Sequence, residues 1–386
     1  MRKDSAALPD ARAPINWVTT TVFTLTPLAA LIFVPWYGFT QGYSDWAWFS
    51  LVFFLLACGI SITAGYHRLW SHQTYQAHAS VRWVLAIFGA MALQNSILVW
   101  ASQHRRHHLH VDDVDKDPYS AGRGFWFSHI GWILRNYPSG RNDFSNARDL
   151  ERDPIVAFQH RYYLPLTLAM NIGLPLALGW AVGDPWGVFL LGGLLRLVVN
   201  HHFTWFINSL AHMWGSQPYT DENTARDNPV LAFLTYGEGY HNFHHIFQND
   251  YRNGVKWWQF DPTKWLIAAM AKVGLASNLK KVPELWIRRA QLAMQFRRVE
   301  CALERRQGRF GDDQIEYAKV RIAEEYAAFR KALEDWAVVR EQWIVDRKKR
   351  LLQKWEETSF RLRLEQIELG LRMQQRRLRA ISRAYA

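Results

Sequence analysis

Four long apolar runs constrain the fold of this chain more than any other feature. They cover residues 16–39, 46–66, 163–182 and 186–206, and only the last contains a charged residue, Arg196. About 20 helical residues suffice to cross the hydrocarbon core of a bilayer. The runs therefore predict an all-α, multi-pass integral membrane protein with four transmembrane helices and membrane lipid as a partner.

The runs also predict how the chain is divided. Residues 1–15 form an N-terminal segment, residues 16–281 form a membrane domain, and residues 282–386 form a charged helical extension. After residue 283 there are 24 Lys/Arg and 16 Asp/Glu, so +8 of the net charge of +12 lies there.

A seven-residue apolar repeat runs through this extension. It consists of Ile315, Ile322, Phe329, Trp336 and Trp343. Such a repeat is typical of a helical hairpin or a modest coiled coil. A solvated charged helix is the alternative, and the repeat alone does not decide between them.

The connections between the runs predict the orientation in the membrane. Residues 40–45 and 183–185 join the runs in pairs and contain no Lys or Arg, whereas basic residues precede the first run and Arg68 follows the second. Because Lys and Arg are retained on the cytoplasmic side, we expect both termini in the cytoplasm. The N-terminal charges are not followed by an apolar core, so a cleaved signal peptide is not expected.

A further apolar stretch, residues 82–101, is predicted not to cross the membrane. Histidine clusters lie on both sides of it, and a single crossing would separate them by about 30 Å. Gln94 and Asn95 near its middle also favour a segment that is covered by protein. We expect this stretch to lie in the interface or to enter the membrane and return.

Histidines carry the chemical signal of the sequence. Eight of the 15 histidines fall in three short clusters, and His212 follows the fourth run, four residues after Asn208. The clusters are His67/His72, His104/His107/His108 and His241/His244/His245. Residues at i, i+3 and i+4 share one face of a helix, so each triplet can point at one centre.

Nine imidazoles are too many for one metal ion and suit two. Neutral imidazole is a common ligand of zinc, copper and iron. His67 and His72 lie five residues apart, about 140° around an α-helix, so they need not serve the same ion. Neutral ligands leave the metal charge uncompensated, so we expect carboxylates behind them. The candidates, each of which could instead be a solvated loop charge, are Asp112, Asp113, Asp115, Asp117, Asp221, Glu222 and Glu238.

The histidine clusters resemble the three histidine boxes of the membrane fatty acid desaturases. The sequences of residues 65–72, 208–212 and 237–245 resemble those of the acyl-CoA Δ9, stearoyl-CoA-type branch. The resemblance covers roughly residues 14–281. It implies a bacterial inner-membrane enzyme with a cytoplasmic di-iron centre that uses O2 and two electrons to desaturate an acyl chain. Removal of hydrogen from an unactivated methylene group also requires a redox-active metal, and zinc has no redox chemistry.

The resemblance also implies roles for individual residues. The nine histidines would be the metal ligands, and Asn208 would act through a water molecule. Trp100, Thr204 and Trp205 would line the bend of a substrate tunnel, and Asn95 would contact the substrate. Plain core packing is the alternative for the tunnel residues.

One departure leaves the acyl carrier open. Animal members have an Arg-Asp pair directly before the second box, implicated in holding the CoA head group, and this chain has Ser102-Gln103 there. The carrier could therefore be CoA, a carrier protein or an intact lipid.

The electron source is expected to be a separate protein. The sequence has no Gly-x-Gly-x-x-Gly fingerprint and no fused haem module, and Cys58 and Cys301 are its only cysteines. A disulfide framework and a cysteine-ligated iron–sulfur site are therefore unsupported. A ferredoxin- or cytochrome-like donor with its reductase is implied, and a basic surface would steer it if it is acidic. No nucleic acid partner is expected.

Other functions remain open at this point. A membrane hydroxylase of the alkane or carotenoid type uses similar histidine boxes and would insert oxygen instead. A metal transporter or a haem-binding subunit is the non-enzymatic alternative. A transporter would be expected to place its ligands at mid-membrane, whereas these histidines lie at the ends of the runs.

Overall fold

The computed structural model describes residues 13–305, 312–348 and 354–385. It is mainly helical, which confirms the predicted fold class. Within these ranges the only strands are Gln76–Ala77 and Ala276–Ser277, paired antiparallel. The chain divides into two compact units, Met1–Gln217 with Glu222–Lys281 and Pro218–Asp221 with Val282–Ala386. We call them the membrane unit and the C-terminal unit.

The first half of the membrane unit contains seven α-helices and several tighter or wider helical turns. The α-helices are α1 (Trp17–Thr40), α2 (Asp45–Ile60), α3 (Ala79–Met91), α4 (Ile97–Leu109), α5 (Trp132–Leu134), α6 (Arg148–Glu151) and α7 (Pro154–Arg161). The π-helical segments are Ser61–Ser71 and Phe127–Gly131, and the 3-10 turns are Ala121–Arg123 and Pro138–Gly140.

The second half continues in the same manner. Its α-helices are α8 (Tyr163–Leu168), α9 (Leu174–Val182), α10 (Pro185–Val188), α11 (Arg196–Asn208), α12 (Leu210–Met213), α13 (Pro229–Leu234), α14 (His241–Ile246) and α15 (Pro262–Lys272). The π-helical segments Ala169–Gly173 and Phe189–Leu195 join α8 to α9 and α10 to α11.

Four helices of this unit begin with the same local signal. In each, an Asp or Asn side chain accepts hydrogen bonds from backbone N–H groups of the first turn, and proline follows at the first helical position. The cap satisfies donors that have no partner in the helix, and proline fits where no N–H is needed. The pairs are Asp153-Pro154, Asp184-Pro185, Asn228-Pro229 and Asp261-Pro262.

Three helices are long and apolar enough to cross a membrane in the part of the chain that the structure describes. They are Trp17–Thr40, Asp45–Ser71 and Tyr163–Val182. The fourth predicted run is helical from Pro185 to Asn208 but is not one of the three. The structure therefore does not confirm four spans.

The two connections without Lys or Arg lie together. The Tyr37 hydroxyl donates to Asp184 Oδ1 over 2.8 Å, and the Ser44 hydroxyl donates to Asp184 Oδ2 over 2.7 Å. At the opposite end of α1, the Thr19 and Thr20 hydroxyls donate to the carbonyls of Ile133 and Leu134. The C-terminal end of α1 thus lies beside the connections 40–45 and 183–185. Its N-terminal end lies beside the segment that contains Ile133 and Leu134.

Residues 82–101 do not form a single helix. Helix α3 ends at Met91 and α4 begins at Ile97, and Leu93 and Asn95 between them have φ values of 52° and 72°. Each helix has 13 residues, fewer than the ~20 that a crossing needs.

Arg196 points into the protein. Its side chain is fully buried, and its guanidinium donates to the carbonyls of Gly192 and Met91 and to Asn171 Oδ1. These acceptors satisfy a charge that would be costly in an apolar surrounding.

The C-terminal unit has three long helices, α16 (Glu284–Arg305), α17 (Asp312–Lys348) and α18 (Lys354–Tyr385). The repeat residues Ile322 and Phe329 are 1% exposed and share a core with Leu292, Phe296 and Leu333. The repeat thus packs against neighbouring helices of its own unit. Residues 1–12 of the predicted N-terminal segment, and residues 306–311 and 349–353 of the predicted extension, lie outside the described residues.

Candidate metal centre and cavity

The nine predicted histidines converge in two clusters. In each cluster the nearest ring nitrogens lie within 4.8 Å of one another. Cluster 1 consists of His67, His72, His104, His108 and His244, and cluster 2 consists of His107, His212, His241 and His245. The three sequence groups are therefore interleaved, because two of them contribute to both clusters.

The π-helical segment Ser61–Ser71 explains why His67 and His72 share a cluster. The His72 N–H donates to the His67 carbonyl over 3.0 Å, an i to i+5 bond. This bonding brings residues five apart to the same side, whereas an α-helix would place them about 140° apart. The expectation that they need not serve one ion was based on α-helical geometry, whereas in this structure both belong to cluster 1.

The separations between the ring nitrogens fit metal coordination. In cluster 1, Nε2 of His244 lies 2.9 Å from Nε2 of His67 and 3.0 Å from Nε2 of His108. In cluster 2, Nε2 of His241 lies 3.1 Å from Nε2 of His212 and 3.0 Å from Nε2 of His245. Two ligands at right angles on an ion with bonds of about 2.1 Å would be about 3.0 Å apart. Both clusters could therefore hold a metal ion.

Carboxylates fix the orientation of two of the rings. Nδ1 of His67 lies 2.8 Å from Glu238 Oε2, and Nδ1 of His107 lies 2.9 Å from both oxygens of Asp117. With a carboxylate beside Nδ1 in each ring, Nε2 is left to face the cluster. Asp117 and Glu238 are both buried.

Other rings are held by hydroxyl groups that the sequence analysis did not identify. Nδ1 of His212 lies 2.8 Å from Thr224 Oγ1, and that hydroxyl donates to Asp112 Oδ1 over 2.6 Å. Nδ1 of His104 lies 3.2 Å from the Tyr119 hydroxyl. Asp113, one of the predicted carboxylates, instead accepts from the backbone N–H groups of its own loop.

Burial favours the neutral form of seven of the nine clustered histidines. Burial, and then the neighbouring histidines, hold the pKa of seven of these rings well below the ordinary value. These are His72, His104, His108, His212, His241, His244 and His245. Neutral imidazole is the form that binds a metal, so little energy is needed to remove protons first.

Glu238 remains ionised beside the cluster. Burial alone would raise the pKa of this carboxyl group, but His67 and Arg68 lower it below the ordinary value. Arg68 is fully buried and donates to Glu238 Oε1 over 2.9 Å and to Asp261 Oδ2 over 3.1 Å. This buried network places negative charge next to cluster 1.

A cavity of about 340 Å³, the main cavity, borders both clusters. His67 and His104 of cluster 1 and His107 and His241 of cluster 2 line it, and the rest of its wall is mainly apolar and aromatic. A second, more polar cavity of about 670 Å³, the mouth cavity, shares several lining residues with it. The shared residues are Thr19, Asn95, Gln103, Trp132 and Ile133.

Comparison with known proteins agrees with this arrangement. Residues 44–278 match the fatty acid desaturase family. The chain belongs to this family.

Two yeast relatives are similar over most of the membrane unit. One is the probable acyl-CoA desaturase of Schizosaccharomyces pombe, 42% identical over 272 residues. The other is acyl-CoA desaturase 1 of Saccharomyces cerevisiae, 40% identical over 290 residues. The alignments cover 70% and 74% of this chain but only 56% of each relative. The sn-2 palmitoyl-lipid 9-desaturase of Nostoc is 36% identical over 278 residues, 70% of this chain and 92% of the relative.

The residues expected to line a desaturase tunnel all border the main cavity. Trp100 stacks on the His104 ring, with centroids 4.8 Å apart. The Thr204 hydroxyl accepts from Gln94 over 2.8 Å, and Trp205 packs on His201 and Phe23.

The remaining predicted residues, Asn95 and Asn208, also line the main cavity. Asn95 is exposed and borders both cavities. Asn208 lines the main cavity near the clusters.

Proposed function

We propose that this chain is an O2-dependent di-iron fatty acyl desaturase that introduces a cis double bond, at Δ9, into a saturated acyl chain. The observation that supports this most is that both histidine clusters border one largely apolar cavity. A flexible hydrocarbon chain held there would place its methylene groups beside two metal sites. The names of the relatives, an acyl-CoA desaturase and a palmitoyl-lipid 9-desaturase, agree with this substrate class.

Iron is the metal that suits both the ligands and the reaction. Imidazole binds iron, copper and zinc, but zinc has no redox chemistry. Bound iron, with O2 and two electrons, would supply an oxidant able to remove two hydrogens from unactivated methylene groups. The nine histidines would hold the two ions. Asn208, four residues before His212, would act through a water molecule.

The protein's own contribution is to position the chain and to exclude water. Trp100 and Trp205 form aromatic walls, and the bond from Gln94 to Thr204 joins the turn after α3 to α11. Packing on both sides of the acyl chain would hold one pair of carbons near the clusters, and correct placement lowers the barrier of a reaction strongly. A dry cavity also prevents loss of the oxidant to side reactions.

The mouth cavity would hold the carrier of the acyl chain. Arg135 and Arg141 line it, and Asn95 stands where it joins the main cavity. Gln103 also lines it, and its side chain donates to the Gly140 carbonyl over 3.2 Å. Two guanidinium groups suit a phosphate-bearing carrier, either acyl-CoA or an acyl lipid.

Electrons would reach the centre through His108 and His245. These are the only half-buried members of their clusters among the described residues, since the other seven histidines are buried. Leu109 and Ile246, their chain neighbours, are 74% and 39% exposed. Two exposed aliphatic side chains beside two accessible ligands form a contact patch for a small one-electron carrier. The net charge of +12 would steer an acidic ferredoxin- or cytochrome-like donor, supplied by its reductase.

The orientation that we propose has four crossings, with the clusters and both termini in the cytoplasm of a bacterial cell. The helical stretch from Pro185 to Asn208 starts beside Asp184, with the other basic-free connection, and ends near His212. Helix Asp45–Ser71 has the same direction, since it starts after Ser44, which bonds to Asp184, and ends at His67 and His72. Topology reporters fused after residue 184 and after residue 386 would respectively report the outer and the cytoplasmic side.

Fatty acid analysis tests the activity directly. The chain would be expressed with ferredoxin and its reductase in a host that lacks aerobic desaturases, and total fatty acids would be analysed by gas chromatography–mass spectrometry with double-bond localisation. A new cis-monounsaturated acid that is absent from the His244→Ala variant is expected. Oxygenated acids in place of unsaturated acids would establish a hydroxylase and overturn the proposal.

A further inference from the structure

The main cavity stops at a defined depth along the helix Asp45–Ser71. The lining residues on this helix are His67, Thr63, Ile62 and Gly59, and no residue that precedes Gly59 on it borders the cavity. Eight residues separate Gly59 from His67, which is at most about 12 Å along the helix at the α-helical rise of 1.5 Å per residue. A chain that passes cluster 1 therefore has a limited length of cavity beyond it.

Tyr236 covers the helix at the point where the cavity ends. Its ring lies directly on Gly59, where a Cβ atom would be only 2.0 Å from Tyr236 Cε2. The Tyr236 hydroxyl donates to the carbonyl of Leu55 over 3.1 Å, one turn further from the clusters. The ring thus extends from the cavity wall across the next turn. Glycine at position 59 is what allows this close approach.

The position of the Tyr236 ring is fixed by its backbone. Tyr236 has φ 56°, a left-handed conformation that is uncommon for a bulky residue. Its carbonyl accepts from the Thr263 hydroxyl over 3.0 Å, and that hydroxyl lies 2.6 Å from the hydroxyl of Thr63. Tyr236 is 7% exposed and only five residues before His241. The ring is therefore held at a set distance from the metal clusters.

We propose that Tyr236 is the floor of the acyl cavity and limits the chain length of the substrate. This inference rests on the proposed function, since it concerns the part of the acyl chain beyond the reacting carbons. A longer chain would have to displace the aromatic ring from Gly59 and break its bond to Leu55. Removal of the ring would open space along the turn that contains Leu55.

The test compares product profiles of three proteins in the same desaturase-free host, supplied in turn with saturated acids of 14, 16, 18 and 20 carbons. The variants are Tyr236→Ala, which removes the ring, and Tyr236→Phe, which keeps the ring and loses only the hydroxyl. One methylene in an apolar pocket changes selectivity roughly 10–200-fold. We expect Tyr236→Ala to raise the ratio of longer to wild-type-length products at least about tenfold. Tyr236→Phe should retain the wild-type preference.

The double-bond position provides a second readout. Counted from the carboxyl end, it should be the same in every product, because the mouth and the clusters are unchanged. Tyr236→Leu, which retains apolar bulk, covers the case in which the alanine variant does not accumulate, and it should give a smaller shift in the same direction. Normal product yield from Tyr236→Ala or Tyr236→Leu with an unchanged chain-length preference would overturn this inference and leave the proposed function intact. No unsaturated product from the wild type would overturn the proposed function and this inference with it.

Discussion

His108 and His245 stack on each other although they belong to different clusters. Their ring centroids are 4.4 Å apart and their planes differ by 21°. Each is also the half-buried member of its cluster. This pair therefore links the surface to both histidine clusters, and it is where we expect a donor protein to act.

Substitution of Leu109 tests this position. A carboxylate in Leu109→Glu would remove an exposed apolar contact and repel an acidic carrier, so the donor should bind more weakly. We expect the second-order rate constant for reduction of the metal centre by plant-type ferredoxin to fall about tenfold, equal to ~1.4 kcal/mol. Anaerobic stopped-flow spectroscopy on the iron-loaded enzyme measures this rate.

Val230→Glu is the matched control for that measurement. Val230 is 56% exposed. Val230→Glu introduces the same charge on α13, a helix that contains no histidine of either cluster. The iron content of both variants, measured by mass spectrometry, should equal that of the wild type. Equal rates for Leu109→Glu and Val230→Glu would move the donor to a different surface.

The two clusters should differ in their tolerance to the loss of a ligand. Cluster 1 has five histidines and cluster 2 has four. His72→Ala leaves four imidazoles in cluster 1, whereas His212→Ala leaves three in cluster 2. We expect His212→Ala to lose close to one iron per chain after dialysis against a weak chelator, and His72→Ala to lose less. Equal retention of both ions in the two variants would show that His212 does not hold a metal.

Sequence patterns predicted which histidines come together, because histidine spacing is a local property. All nine histidines lie in the two clusters, and Asp117 and Glu238 lie behind them as carboxylates were expected to do. The sequence did not predict that His67 and His72 would share a cluster. That outcome depends on π-helical bonding over Ser61–Ser71, which residue periodicity does not reveal.

Contacts between distant segments were the other feature that the sequence could not predict. Thr224 reaches His212 and Asp112 only because the loop after α12 folds back to the loop after α4. Tyr236 meets Gly59 across 177 positions of the chain. Neither threonine nor tyrosine carries a spacing signal of its own, so three-dimensional contacts were needed to find them.

Removal of the charge of Glu238 should weaken the metal site without unfolding it. Glu238→Gln keeps the shape of the side chain but removes the negative charge that faces His67 and Arg68, which both contact it. Loss of such an orienting partner lowers metal affinity 10–100-fold in comparable sites. Iron titration of the metal-free protein in detergent should show a decrease of roughly this size. Asp113→Asn changes a half-buried carboxylate of the predicted set that bonds only to its own loop among the described contacts, and this variant should bind iron as the wild type does.

A pH-dependent contribution to stability is expected from Asp227. Burial raises the pKa of this carboxyl group to about 7, although the backbone N–H groups of Phe243 and Asn242 partly oppose the shift. Because the folded-state pKa lies above the unfolded value near 3.9, protonated Asp227 favours the fold at low pH. This contribution is fully present below about pH 4 and is lost as the pH rises to 7. Asp227→Asn mimics the protonated form, so its stability relative to the wild type should grow across this window by at most about 1.4 kcal/mol per pH unit. Thermal unfolding of both proteins in detergent between pH 5 and 8 measures the difference, and a gap that does not widen towards pH 7 would show that Asp227 is ionised throughout.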